Sequence, residues 1–129
     1  MNGWIGVDLD GTLARYDGWK GIEHIGEPIA PMVERVKRWL AQGVDVRIFT
    51  ARVDGGEVAV SMGDKNGVAH RDVPMVRHHI EQWCLRNIGR VLAITNVKDY
   101  GMLELWDDRV VQVIPNTGMP VGASTRGLS

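Results

Sequence analysis

A chain of 129 residues with 44% hydrophobic and 24% charged side chains has the size and balance of one globular domain around one core. Fifteen basic against sixteen acidic side chains leave a net charge of −1, which removes the global positive field on which a nucleic-acid-binding module relies. The single cysteine, Cys84, cannot close an internal disulfide, and no apolar run reaches the ~18–20 residues of a membrane span. Met1-Asn2-Gly3-Trp4 lacks the charged and apolar regions of a signal peptide, so the expected location is the cytoplasm.

Trp4 to Val7 is a short apolar run closed by Asp8-Leu9-Asp10-Gly11-Thr12, the pattern of a buried strand feeding a loop. Residues 14 to 30 mix glycine, charge and aromatics without a period and read as an irregular excursion. Pro31 opens a helical pattern with Met32, Val33, Val36 and Leu40 on one face and Gly43 past its end. Val44 to Phe49 is a second strand, ending at Thr50-Ala51-Arg52; its alternating start, Val44-Asp45-Val46-Arg47, suits an exposed end of a sheet. Residues 53–71 follow as a long glycine-containing loop.

A second helix is predicted from near Pro74 to Ile88, with Asp72 as its cap, Val76, Ile80, Trp83 and Cys84 on its apolar face, and Gly89 as its stop. Val91–Ile94, Leu103–Trp106 and Val110–Ile114 read as three further strands, and residues 115–129 as a loose Gly/Pro-rich tail. Met32 and Met75 are expected in the core, Cys84 as a buried inert thiol. His24, His70, His78 and His79 share no metal-ligand spacing and read as solvated. The alternation of strands and helices predicts an α/β domain with a mostly parallel sheet.

Polar clusters stand directly after three of these strands: Asp8/Asp10, Thr50/Arg52 and Asp107/Asp108. Ligands of open α/β sheets bind at the carboxyl ends of the strands, so the topology itself gathers these groups. Several carboxylates in one crevice repel one another unless a cation sits among them, and hard oxygen donors favour Mg²⁺. Lys98 is the candidate positive partner, and the Thr50 hydroxyl can hold a phosphoryl oxygen. Asp8 and Asp10, two apart in extended chain, leave the same face; one can attack phosphorus while the other serves as acid and base.

Val7-Asp8-Leu9-Asp10-Gly11-Thr12-Leu13 resembles the first motif of the haloacid dehalogenase-like phosphatases. Phe49-Thr50-Ala51-Arg52 resembles their second motif, Lys98 fits the third, and Leu105-Trp106-Asp107-Asp108 fits the acidic fourth. The resemblance implies a single-domain Rossmann-like catalytic domain over 1–114, a sheet flanked by helices, and a flap at about 14–30. It implies Asp8 as the phosphoaspartate-forming nucleophile and Asp10 as general acid/base, with Thr50 and Lys98 on the phosphoryl group. Mg²⁺ would be held by Asp8, the Asp10 carbonyl, Asp107 and Asp108; the adjacent pair leaves open which of the last two binds directly. Lys98 precedes Asp99 where the family often has proline. The intervals Thr12–Thr50 and Arg52–Lys98 are too short for a cap domain, which implies an open, capless site.

The expected activity is Mg²⁺-dependent hydrolysis of a small phosphomonoester, with nucleotides among the candidate substrates. A polynucleotide-end phosphatase is the close alternative; a phospho-Asp receiver-like switch and a silent scaffold are the alternatives of another class. Arg52 is either a surface charge or a substrate ligand, and Trp19 either stacks on a base or sugar or staples the flap down. A monomer or weak homodimer is expected, with the site closed by the flap or by a second subunit meeting the loop at 53–71.

Overall fold

The computed structural model describes residues 2–54, 57–60 and 64–122. The strands are β1 (Trp4–Asp8), β2 (Asp45–Phe49), β3 (Glu57–Val60), β4 (Asp64–Gly67), β5 (Ala93–Thr95) and β6 (Met102–Trp106); the helices are α1 (Ala30–Ala41) and α2 (Val73–Asn87). Four strands form one parallel sheet in the order β5-β2-β1-β6. The chain is therefore an α/β protein, and no helix among the described residues is long and apolar enough to cross a membrane.

β1 is central, and its apolar run Trp4-Ile5-Gly6-Val7 is buried throughout, as a strand covered on both faces requires. In β2 the alternation has a different outcome. Val46 and Ile48 join Ile5 and Val7 in a core completed by Met32, Val33 and Val36 of α1 and Val76, Ile80 and Trp83 of α2. Asp45 and Arg47 face the other way; they pair at 2.9 Å, and the Arg47 guanidinium lies 4.6 Å over the Trp4 ring. Both helices thus contribute to one cluster on one face, so the expected flanking by helices holds for that face among the described residues. The crossovers β1-α1-β2 and β2-α2-β5 step in the same direction across the sheet, which places their helices together.

The return from β5 to β6 spans the sheet in six residues, 96–101, with no helix. It is tied to β1 by Trp4, whose backbone N–H donates to the Gly101 carbonyl at 2.8 Å and whose indole donates to Asp99 at 2.8 Å.

Several local expectations are corrected. Val110–Ile114 is not a fifth strand: the Arg109 amide donates to Asp107 Oδ1 at 2.8 Å and turns the chain off the sheet. The segment instead pairs with the residues immediately C-terminal to it, Ile114 N–H to Met119 and Val121 N–H to Gln112, around Asn116 and Gly118 at positive φ. Part of the expected loose tail is therefore ordered as a turn, and residues 123–129 lie outside the described residues. The loop at 53–71 contains the antiparallel pair β3–β4. Met75 is exposed, because α2 turns Val76, Ile80 and Trp83 to the core and leaves its neighbour outside. Asp72 occupies the N-cap position in a helical conformation and makes no capping bond, since a 3₁₀ turn at His70–Asp72 runs directly into α2. Met32 and Cys84 are buried as expected.

Residues 14–29 hold neither helix nor strand and stay close to the sheet ends. Arg15 N–H donates to Glu27, Ile29 N–H to Leu13, and the Trp83 indole to Gly26, each at 2.8–3.0 Å.

Candidate active site

β1 leads to β2 on one side and has β6 on the other, so the strand order reverses between β1 and β6. The crevice at the carboxyl ends of such a pair is where open α/β sheets bind ligands. Val7 is in register with Trp106, which sets Asp8 beside Asp107 although they are 99 positions apart in the chain. Carboxylate oxygens of Asp8, Asp107 and Asp108 all lie within 4.8 Å of one another. Asp8 and Asp107 are half-buried and Asp108 is exposed.

The crowding has an electrostatic consequence. Burial pushes the Asp8 carboxyl up to about 8, and the charge of Asp107, a hydrogen bond with Asp108, and the charges of Asp108 and Asp10 push in the same direction. The Thr12 hydroxyl donates to Asp8 Oδ2 at 3.4 Å. Gly11, at φ +90°, turns the backbone so closely under this cluster that a Cβ there would run into the Asp108 carboxylate. The three donors are all carboxylate oxygens with no nitrogen or sulfur among them, which fits a hard divalent cation such as Mg²⁺.

Asp10 sits apart from this trio in a different arrangement. Arg52 Nε donates to Asp10 Oδ2 at 2.7 Å and Arg52 Nη2 to Oδ1 at 2.8 Å, a bidentate pair. The Arg52 side chain is 5% exposed and that of Asp10 19%. Nη2 also donates to the His24 carbonyl at 3.0 Å, and the guanidinium carbon lies 4.9 Å over the Trp19 ring. Arg52 is thus no surface charge. Trp19, packed against the core and under the guanidinium, fastens the 14–29 segment at that point.

Thr50 is buried; its N–H donates to Thr95 at 2.9 Å, and its hydroxyl oxygen accepts from the Arg52 N–H at 3.1 Å. That bond caps a 3₁₀ turn at Ala51–Val53 and leaves the hydroxyl proton available as a donor. Lys98 lies exposed on the 96–101 connection and pairs with no carboxylate among the described residues. His24 contributes its carbonyl. An open groove lined by Gly3, Trp4, Asp45, Arg47, Asp99 and Tyr100 lies at the opposite, amino-terminal end of the strands.

Sequence reading found every member of the acidic cluster but missed the Asp10–Arg52 pair. The only signal was a basic residue two positions after Thr50 at a strand end, and nothing in one dimension joins positions 10 and 52.

No protein-family model, curated protein or solved structure matches the chain. Its class is accordingly defined by what it contains: an α/β protein with a four-stranded parallel sheet and a carboxylate trio at the strand-order reversal.

Proposed function

We propose that the protein is a capless haloacid dehalogenase-like phosphatase, hydrolysing small phosphomonoesters with Mg²⁺ through a phosphoaspartate on Asp8. The observation that carries this reading is the convergence of Asp8, Asp107 and Asp108 within 4.8 Å at the end of β1, with Asp10 two residues further on. The donors fit the cation, with Asp8, Asp107 and Asp108 as the side chains that would hold it. When bound, it would supply positive charge against the phosphoryl oxygens and the crowded carboxylates.

The residues then divide the reaction. An Asp8 oxygen attacks phosphorus, the bond to the leaving oxygen breaks, and Asp10 delivers a proton to that oxygen. In the second half Asp10 takes a proton from water, the hydroxide adds to phosphorus, and the acyl phosphate bond breaks to return free Asp8 and inorganic phosphate. Attack requires ionised Asp8, yet its surroundings hold the carboxyl up at about 8. This conflict gives the reaction its dependence on a cation at neutral pH. The Thr50 hydroxyl would donate to a phosphoryl oxygen, and Lys98, exposed on the 96–101 connection, would neutralise another.

The test is a Mg²⁺-supported panel of nucleotides, sugar phosphates, phosphoamino acids and 3′-phosphorylated oligonucleotides, with Asp8→Asn as control. Phosphate release that needs both Mg²⁺ and Asp8 supports the proposal. A phospho-Asp8 species that forms and persists would instead make the protein a switch, and the absence of both turnover and labelling would leave a scaffold.

A further inference from the structure

The carboxylate trio needs a cation; the neighbouring Arg52 needs another explanation. An arginine this deeply buried is costly to enclose unless its partners are fixed, and here one guanidinium has three. It closes on both oxygens of Asp10, on the His24 carbonyl and on the face of Trp19. Asp10 belongs to the strand end, whereas Trp19 and His24 belong to the flap.

We infer that Arg52 is a clasp: a positioning residue that fastens the flap tip over the strand ends and, by the same guanidinium, fixes the orientation of Asp10. The part concerning Asp10 as acid/base rests on the proposed function; the part concerning the flap does not.

The anchorage of the flap is unequal along its length. Its base is tied by backbone and indole bonds at Arg15, Gly26 and Ile29. The tip has apolar packing at Trp19, Ile22 and Ile25, and its polar ties to the body among the described residues both end on Arg52. Gly18 at φ +122° and Gly21 at φ +101° lie on either side of Trp19, and the missing Cβ gives both positions the backbone freedom of a hinge. Arg52 Nη1 is buried without an acceptor among the described residues, so the closed arrangement leaves the two N–H groups of that nitrogen unused and opening would hydrate them. These features describe a fastening made to open rather than a permanent strut.

Lysine cannot replace arginine here, because a point charge reproduces neither the two parallel bonds to Asp10 nor the flat contact with Trp19. When the tip lifts, Arg52 loses two of the groups that hold its plane, and Asp10 loses the fixed edge against which it is aligned. Closure of the flap and alignment of the acid/base are therefore one event.

The experiment uses the full chain as wild type, Arg52→Lys and Trp19→Ala, with circular dichroism showing that each is folded. Trypsin cleavage after Lys20, followed by mass spectrometry, reads the tip without reference to any activity. Cleavage should accelerate about tenfold in both variants. Unchanged cleavage in Trp19→Ala overturns the clasp even if Arg52→Lys fails to fold.

Kinetics read the second half. Arg52→Lys should lower kcat on an alkyl phosphate about tenfold more than on nitrophenyl phosphate, with KM preserved, because only the poorer leaving group needs the proton. An equal loss on both substrates with a raised KM would make Arg52 a phosphoryl ligand and overturn the positioning role. If no phosphatase activity exists at all, the proposed function falls while the cleavage result still decides the clasp.

Discussion

Gly11→Ala separates the fold from the acidic centre in one substitution. Gly11 adopts φ +90°, and an added Cβ would lie 2.8 Å from Asp108 Cγ. The backbone term is a β-carbon forced into left-handed space, about 1–2 kcal/mol. For a chain of this length that lowers Tm by about 3–10 °C. The steric term is relieved cheaply, because the obstacle is the end of an exposed aspartate that can swing away. In swinging, however, it leaves the cluster with Asp8 and Asp107, so the cost appears in cation affinity, weakened about tenfold.

Gly43→Ala is the matched control: φ is +81°, and nothing lies within 4 Å of the added carbon. It should lower Tm similarly and leave cation binding alone. Thermal melts with calorimetric Mg²⁺ titration of both variants check the reasoning. Wild-type Mg²⁺ affinity in Gly11→Ala would refute the claim that this glycine makes room for Asp108 in a cation-binding cluster, and an unchanged Tm would refute the backbone argument.

The Asp8 carboxyl, raised from 3.8 to about 8, binds its proton more tightly folded than unfolded. Its contribution is therefore fully present below about pH 4 and is lost as pH rises through about 8; metal-free melts should show Tm falling over that window, with Asp8→Asn flattening this component and Mg²⁺ opposing it. Asp8→Asn should also reduce kcat below about a hundredth of wild type while the metal-free protein stays folded, read by phosphate release beside a melt. Lys98→Ala should cost nearly as much in kcat with little change in Tm, its side chain being exposed and without a carboxylate partner among the described residues; a mild kinetic effect would remove it from the site.

Much of the sheet was legible because the signals are local. Trp4–Val7 is apolar throughout and became the buried central strand; Met32, Val33 and Val36 carry the helical period of α1; Leu103–Trp106 became an edge strand. The motifs carried the acidic residues, since a strand end followed by aspartate is itself a local pattern. Val110–Ile114 misled for the same reason: β-branched residues favour a strand in isolation, but the Asp107–Arg109 turn had already taken the chain off the sheet. Met75 misled because an apolar residue type was taken for a core position, although it stands one residue off the face that Val76, Ile80 and Trp83 turn inward.

The residue types available for chemistry were set by the sequence alone: carboxylates after the first and last sheet strands, and a threonine after the second. The tertiary structure decided their partners. Parallel pairing of β1 with β6 at Val7–Trp106 brings Asp8 to Asp107, and crowding with burial then raises its carboxyl. Folding also turned Arg52 inward onto Asp10, His24 and Trp19, an arrangement 42 positions across in the chain. Strand propensity and motif spacing act through neighbours in sequence, whereas desolvation and charge act through neighbours in space, and only the folded sheet brings those together.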